Sequence, residues 1–542
     1  MLVELYCDKF IKTKITFNKK LNIVLGDSNA TNSIGKSTFL MILDFIFGGK
    51  AYLEHNKDVL ENIGNHEFKF VFEFDNKKEY FKRKVELDKK NNIVYMCNSN
   101  FDEISEVEIS DYTKYLKRKY KLENINLTFR KIVSLYSRVW GKRNDSLMKP
   151  LHPVSNASTK DILDELISLF KKDLIISQLK EDLEKLDSIK KLISYKVKYS
   201  LNENLNKTEY KKKIKQLSSV EEKLDGLKEN IFSSESKYTE EVGEKISLLL
   251  KERDEILKIK LGLNNEIIRL KNNIEKNSKL SSDEEKKIVE YFPNVNIERI
   301  KEVGNFQNKI TKILNTEINK RIVELTNEIE NLEQDTQNLN LKLNKYLEGF
   351  GETSKTMVEQ ISNCILEEKE LKNYTETFEK NLETKQELDK KNKEFIEEKI
   401  SKLNEIASNI NKKIDELNNQ INPSQLVPEL IILSENNYEF KIKNNTGTGK
   451  GFENLIIFDL AILTLTELPF LIHDSFIFKN IDIITTENIL QTYKKYNKQT
   501  FIALDEKKRY SSEIQNLIER YKVLELSKEK VLFRKAWNLK NK

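Results

Sequence analysis

The stretch "LNIVLGDSNATNSIGKSTFLMILDFIFGG", Leu21–Gly49, decides the fold. It opens on an apolar β-like run, Leu21–Leu25, crosses a polar loop of small residues, Gly26–Thr38, and enters an apolar helical run, Phe39–Phe47, that stops at Gly48-Gly49. Strand, small-residue loop, Gly-Lys-Ser and helix together make a phosphate cradle. Backbone N–H groups of such a loop and of the helix N-terminus point at the anion. Lys36 brings positive charge to the outer phosphates, and the Ser37 hydroxyl can ligate Mg2+. We therefore expect Asn32, Ser33, Gly35, Lys36, Ser37 and Thr38 to hold a nucleotide. The pattern GxxxxGK[ST] asks for Gly at position 30, where this chain has Ala30; Gly26, four residues earlier, makes the loop longer. A chance Gly-Lys-Ser in a surface turn is the bland alternative, and the flanking strand and helix argue against it.

Working outward, Leu2–Phe10 and Lys14–Phe17 read as short strands, and "FKFVFEFDNKKEYFKRKV", Phe68–Val85, reads as a strand hairpin with period-two apolar residues. "LTFRKIVSLYSRVWGKR", Leu127–Arg143, reads as a basic helix. Arg130 and Arg138 in it are better read as solvated or structural than as phosphate ligands.

The six prolines, at 150, 153, 293, 423, 428 and 469, map the rest. Two proline-free tracts, 154–292 and 294–422, have room for long helices, since proline costs about 3 kcal/mol inside one. Ile322, Leu325, Ile329, Leu332, Thr336, Leu339, Leu343 and Tyr346 alternate steps of three and four, as do Ile396, Ile400, Leu403, Ala407, Ile410, Ile414, Leu417 and Ile421. That is the seam of a left-handed coiled coil. Ile176, Leu179, Leu183 and Leu186 begin a similar seam, and Gly226, Gly243, Gly262, Gly349 and Gly351 read as breaks or bends. The tracts, 139 and 129 residues long, pair most simply with each other, reversing near Ser281–Asn296. About 120 helical residues at 1.5 Å each would make an arm of roughly 180 Å. Parallel dimerisation of each tract is the alternative. The expected division is 1–153 as one half of a head, 154–422 as an antiparallel hairpin with its tip near 281–310, and 423–542 as the other half.

Composition agrees. The chain has 542 residues, 93 Lys+Arg against 87 Asp+Glu, and a net charge of only +6. Dense charge that nearly cancels suits long solvent-facing helices. Charges break every apolar run long enough to span a bilayer, and Met1–Phe17 does not read as a signal peptide. Cys7, Cys97 and Cys364 are widely spaced, and His55, His66, His152 and His473 form no HExxH. We expect no zinc site, no disulfide framework and a cytoplasmic location.

Beyond Pro428, the loop Gly447-Thr448-Gly449-Lys450-Gly451 precedes an apolar helix from Leu455. It resembles the signature loop of ABC-type ATPases, which meets the γ-phosphate held by an opposite subunit. "LPFLIHDS", Leu468–Ser475, looks like a Walker B strand ending in Asp474, the second expected Mg2+ residue with Ser37. ABC-type ATPases usually place Glu next, to orient or deprotonate water. Here it is Ser475, so hydrolysis is slow or another residue such as His473, Asp505 or Glu506 takes the role. His473 reads first as a packed strand residue. Thr500–Leu504 resembles the strand before the switch histidine, which is missing. Residues 506–542 carry 11 Lys/Arg and 5 Glu, and read as a solvated helical surface or, second, a DNA contact.

Ala30–Ser37 resembles the GxNGxGKS loop of SMC, RecN and RecF ATPases, with Asn32 in register and Ser33 replacing a glycine. With the coiled coil and "GTGKGFENLIIFDLAIL...FLIHDS", the chain resembles bacterial SMC/RecN-like ATPases of the YydD type, which carry a C-terminal DUF2326. The resemblance implies an α/β ABC-type ATPase head assembled from both termini, with a long antiparallel α-helical coiled-coil arm. It also implies ATP and Mg2+, a homodimer through ATP-bound heads, and partner proteins from the same operon. Function is then an ATP-controlled DNA-associated machine in genome maintenance or anti-phage defence. The alternative is a nucleotide-gated coiled-coil scaffold that hydrolyses little and recruits an effector. A purely structural coiled-coil protein would bind no ATP.

Overall fold

The computed structural model describes residues 1–27, 34–86, 92–154, 156–197, 205–233, 240–277, 297–347, 352–423, 426–441 and 448–535. They fall into two compact units, Met1–Asp182 with Lys391–Lys542, and Leu183–Lys390. The first unit thus contains both ends of the chain.

Among the described residues, eight strands come from the first part: β1 (Leu2–Tyr6), β2 (Lys14–Thr16), β3 (Leu21–Leu25), β4 (His66–Phe74), β5 (Lys77–Val85), β6 (Ile93–Cys97), β7 (Glu103–Glu108) and β8 (Ser137–Arg138). Five come from the last: β9 (Glu429–Ser434), β10 (Asn437–Lys441), β11 (Phe470–His473), β12 (Gln499–Leu504) and β13 (Lys522–Glu525). One sheet is antiparallel, in the order β2-β1-β4-β5-β6-β7. Its β4–β5 hairpin turns through Asp75 and Asn76, both at positive φ (48° and 61°). Asp and Asn tolerate the two left-handed positions that a tight hairpin turn demands. Phe68, Phe70, Phe72 and Phe74 alternate inward along β4, as their period of two requires.

The second sheet is parallel, in the order β13-β3-β12-β11-β8. Every residue of β3 and β12 is buried, which explains why Ile23–Leu25 and Phe501–Leu504 are apolar throughout. Strand β3, from the start of the chain, lies between β12 and β13, from its end. Across this seam Phe47 stacks on Phe470 with ring centroids 3.9 Å apart, and Phe17 meets Phe501 edge-on at 5.5 Å. The head core is therefore a joint product of the two ends.

Two expectations are corrected. Leu127–Arg143 is not one helix: Phe129–Val133 is helical, and the chain then extends into β8. The tail is not merely a solvated surface, because Ser512–Tyr521 is followed by β13, where Val523 and Leu524 are buried.

In the second unit, Glu240–Asn277 packs against Ile297–Leu347 through Ile267, Leu325 and Ile329. Their polar contacts are Arg253–Asn340, Lys260–Glu333 and Glu266–Arg321, so one helix ascends as the other descends. Lys207–Ser233 meets Glu352–Ile421 with the same sense, Tyr210 stacking on Phe378 and Glu221 pairing with Lys372. The pairing is antiparallel and within one chain. Leu325, Ile329, Leu339 and Leu343 of the seam are buried, whereas Tyr346 is exposed. Gly226, Gly243 and Gly262 lie inside helices and break nothing; a lone glycine costs only about 1 kcal/mol, which a long packed partner helix offsets. Gly349, Gly351 and the 281–296 part of the expected reversal fall outside the described residues, and 297–310 are helical.

Candidate functional site

The site lies at the carboxyl ends of the parallel strands β3, β12 and β11. Three strands side by side each deliver chemistry there. Strand β3 leads into the Gly-rich loop, β12 into Asp505, and β11 into Asp474. Gly26 N–H donates to the Leu504 carbonyl at 2.8 Å. A Cβ on Gly26 would sit 2.3 Å from the Asp505 carbonyl oxygen, so only glycine lets the loop leave β3 this close to β12.

Helix Lys36–Ile46 starts at Gly35, whose φ of 102° is left-handed and whose Cβ would lie 2.5 Å from Leu532 Cβ. The two residues after it face two carboxylates. Lys36 is buried, with Nζ 3.2 Å from Asp505 Oδ1; the other Asp505 oxygen is 3.5 Å from Lys479 Nζ. The Ser37 hydroxyl donates to Asp474, which also accepts N–H bonds from Trp140 at 3.1 Å and Ser475 at 2.7 Å. Burial pushes the Asp474 carboxyl above its ordinary range, against the opposing pull of those donors and of Lys36. A buried carboxylate of this kind gains from a cation beside it. Mg2+ takes one or two carboxylates and fills its octahedron with water and substrate phosphate. Ser37 with Asp474 fits that donor set, and no group of three or more His, Cys, Asp or Glu among the described residues suggests another metal.

The other expected site residues divide. Thr38 donates its hydroxyl to Asn56 Oδ1 at 3.1 Å. Ser475 opens the short helix Ser475–Phe478 that Asp474 caps. His473 is fully buried, with one ring nitrogen 2.5 Å from the Tyr493 hydroxyl and the other 2.9 Å from Asp459 Oδ2, so it faces the core. Asn32, Ser33 and Gly447 lie outside the described residues. Thr448, Gly449, Lys450 and Gly451 are already helical, in Thr448–Leu465. Lys450 is turned inward, donating to Glu453 Oε1 at 2.6 Å and Asn418 Oδ1 at 3.2 Å. A Cβ on Gly451 would fall 2.7 Å from Leu147, so this helix start is packed against the N-terminal part of the chain.

Arg130 and Arg138 are both structural. Arg130 pairs with Asp44 at 2.8 Å, and Arg138 grips Asp459 at 2.5 and 2.7 Å. Sequence reasoning missed Trp140, which fixes Asp474 through its backbone while its indole, 66% exposed, meets Phe476 edge-on. The signal was the short apolar run before Gly141, hidden by reading that segment as helix.

Strand, small-residue loop, Lys36-Ser37 at the helix start and Asp474 at the end of a neighbouring strand are the layout of a P-loop fold. Residues 7–232 match the family model of the AAA domain, and residues 410–537 match the family described as "Uncharacterised protein conserved in bacteria (DUF2326)". Among solved structures the chain is similar to the Smc head domain with a coiled coil and joint from Pyrococcus yayanosii, at 14% identity and TM-score 0.43, over 93% of this chain and 91% of that one. It is also similar to the Smc head domain with an extended coiled coil bound to the C-terminal domain of ScpA from Pyrococcus furiosus, at 13% identity and TM-score 0.36, over 93% and 89%. No curated protein matches the sequence. Among the described residues no helix is long and apolar enough to cross a membrane.

Proposed function

We propose that the head binds ATP with Mg2+ and uses it to control the coiled coil. Lys36 takes the outer phosphates, Ser37 and Asp474 hold the metal, and the N-terminus of helix Lys36–Ile46 offers backbone N–H groups to the phosphate. Mg2+, when bound, neutralises phosphate charge and orients the γ-phosphoryl group. The observation that carries this reading is the contact of Ser37 with Asp474, two residues from opposite ends of the chain, beside the buried Lys36.

Two such heads would close on nucleotide as a homodimer, the Gly447–Gly451 segment of one meeting the γ-phosphate on the other. The γ-phosphate is then the differential contact that makes the two states unequal, and differential contact is what a ligand needs to shift an equilibrium. We place the closing heads in a cytoplasmic, DNA-associated role in genome maintenance or anti-phage defence, with partner proteins from the same operon. Ser475 favours a second reading, a scaffold that binds ATP, hydrolyses it little and recruits an effector.

The test measures ATP binding and ATP-dependent head association on Lys36→Ala and Asp474→Ala proteins. Loss of both properties in both variants supports the reading; unchanged behaviour sinks it. Single-turnover hydrolysis with and without DNA separates the two versions: DNA-stimulated turnover favours the machine, tight binding without turnover the scaffold.

A further inference from the structure

We infer that Asp505 is the carboxylate that orients and deprotonates the attacking water, the task for which Ser475 has no suitable group; the assignment rests on the nucleotide site proposed above. The argument begins with strand order. Strand β12 lies between β3 and β11, and its Leu504 pairs with Leu25, the last residue before the loop. His473 of β11 pairs with Ile502, so Asp505 emerges about two residues beyond the level of Asp474. It therefore lies further along the strand direction, on a strand that adjoins the one entering the phosphate loop.

Two rival groups, His473 and Asp474, are engaged elsewhere. Both ring nitrogens of His473 are bonded within the core. Asp474 is held by two backbone N–H groups and Ser37, the restraint expected of a metal-holding carboxylate. A serine hydroxyl is far too weak a base for the role. Asp505, by contrast, faces Lys36 with one oxygen and Lys479 with the other, and its side chain is 13% exposed.

That geometry supplies an on-switch. Without nucleotide, Lys36 and Asp505 neutralise each other. When phosphate draws the Lys36 ammonium away, one Asp505 oxygen is freed while the Lys479 contact keeps the other in place. In the step itself, water oxygen bonds to the γ-phosphorus and its proton passes to Asp505. The bond from phosphorus to the bridging oxygen breaks, and ADP leaves with that electron pair. The proton then passes from Asp505 to solvent, giving ADP, inorganic phosphate and H+.

The test compares ATP binding with single-turnover hydrolysis in full-length wild-type, Asp505→Asn, Asp505→Glu and Asp505→Asn/Ser475→Glu proteins. Removing the charge that competes for Lys36 should leave ATP affinity equal or several-fold tighter, while hydrolysis falls by about 100-fold or more. Asp505→Glu should keep part of the rate. Ser475→Glu should restore roughly tenfold in the Asp505→Asn background, since it puts a carboxylate beside Asp474, a response that a structural role for Asp505 would not produce. Equal hydrolysis rates in wild type and Asp505→Asn, fast or slow, overturn the assignment. So does weakened ATP binding in a folded Asp505→Asn protein, which would make Asp505 a support for Lys36. Failure of the wild type to bind ATP overturns the nucleotide reading itself and is recognised in the binding arm alone.

Discussion

Arg138 and Asp459 form a two-pronged ion pair with neither side chain exposed, although 321 residues separate them in sequence. Arg138 ends β8, at the Trp140 side of the site; Asp459 lies in Thr448–Leu465, the helix that starts in the signature-like segment. The same carboxylate reaches His473 on β11, which reaches Tyr493. Burial alone would push the Asp459 carboxyl up; the Arg138 charge, with hydrogen bonds from Arg138 and His473, holds it below the usual range.

A buried pair is worth little against a well-packed apolar replacement, but losing one partner strands a charge. Asp459→Asn should therefore lower head stability by about 3–5 kcal/mol, and Arg138→Met/Asp459→Leu should regain most of it. Urea unfolding of the three proteins checks this; a loss under about 1 kcal/mol in Asp459→Asn would mean that the pair is not dry in solution.

Acid should weaken the fold through Asp44. Burial raises its carboxyl, but the charges of Arg130 and Lys142, at 2.8 and 3.2 Å, override this and set it below the ordinary value of 3.8. A depressed carboxylate contributes stability that is complete above its unfolded value and is lost as pH falls toward the folded one. The advantage of wild type over Asp44→Asn should thus be flat at neutral pH and shrink below about pH 4. Unfolding free energies of both proteins at several pH values give the curve, and a constant difference down to pH 2 refutes the claim.

Gly35 cannot be replaced without strain. Its left-handed φ and the 2.5 Å approach to Leu532 both oppose a side chain. Gly35→Ala should cost about 1–3 kcal/mol and weaken ATP binding more than tenfold, because the helix start would shift. Adding Leu532→Ala should recover only the steric part. Thermal unfolding and nucleotide titration decide it; wild-type binding by Gly35→Ala would show that the helix start tolerates the shift.

The antiparallel register is open to a covalent check. Ile267→Cys with Leu325→Cys, in a background lacking the native cysteines, should oxidise to an intrachain bridge that migrates as monomer. A bridge found only between chains would favour parallel dimerisation.

What could be read from sequence was local. Strand, loop and Gly-Lys-Ser occupy consecutive residues, and an apolar run ending in Asp474 marks itself, so Lys36, Ser37 and Asp474 stood out. The seams of 322–346 and 396–421 stood out by periodicity. What escaped depends on which strand lies beside which. Asp505 touches Lys36 only because β12 is inserted between β3 and β11, an order no window of sequence contains. Strand β8 is two residues long, too short to show a period of two, so Arg138 and Trp140 were misread as helical. Strand β13 hid inside a charged tail because only Val523 and Leu524 carry its burial.

The interleaving of β3 with β12 and β13 also sets a timetable for synthesis. Both sheet neighbours of β3 are synthesised hundreds of residues after it, so through that interval the nascent chain carries an apolar ribbon without its final partners. A premature stop before Lys522 would remove β13 and leave one edge of β3 vacant, a sticky fragment for chaperones or proteases.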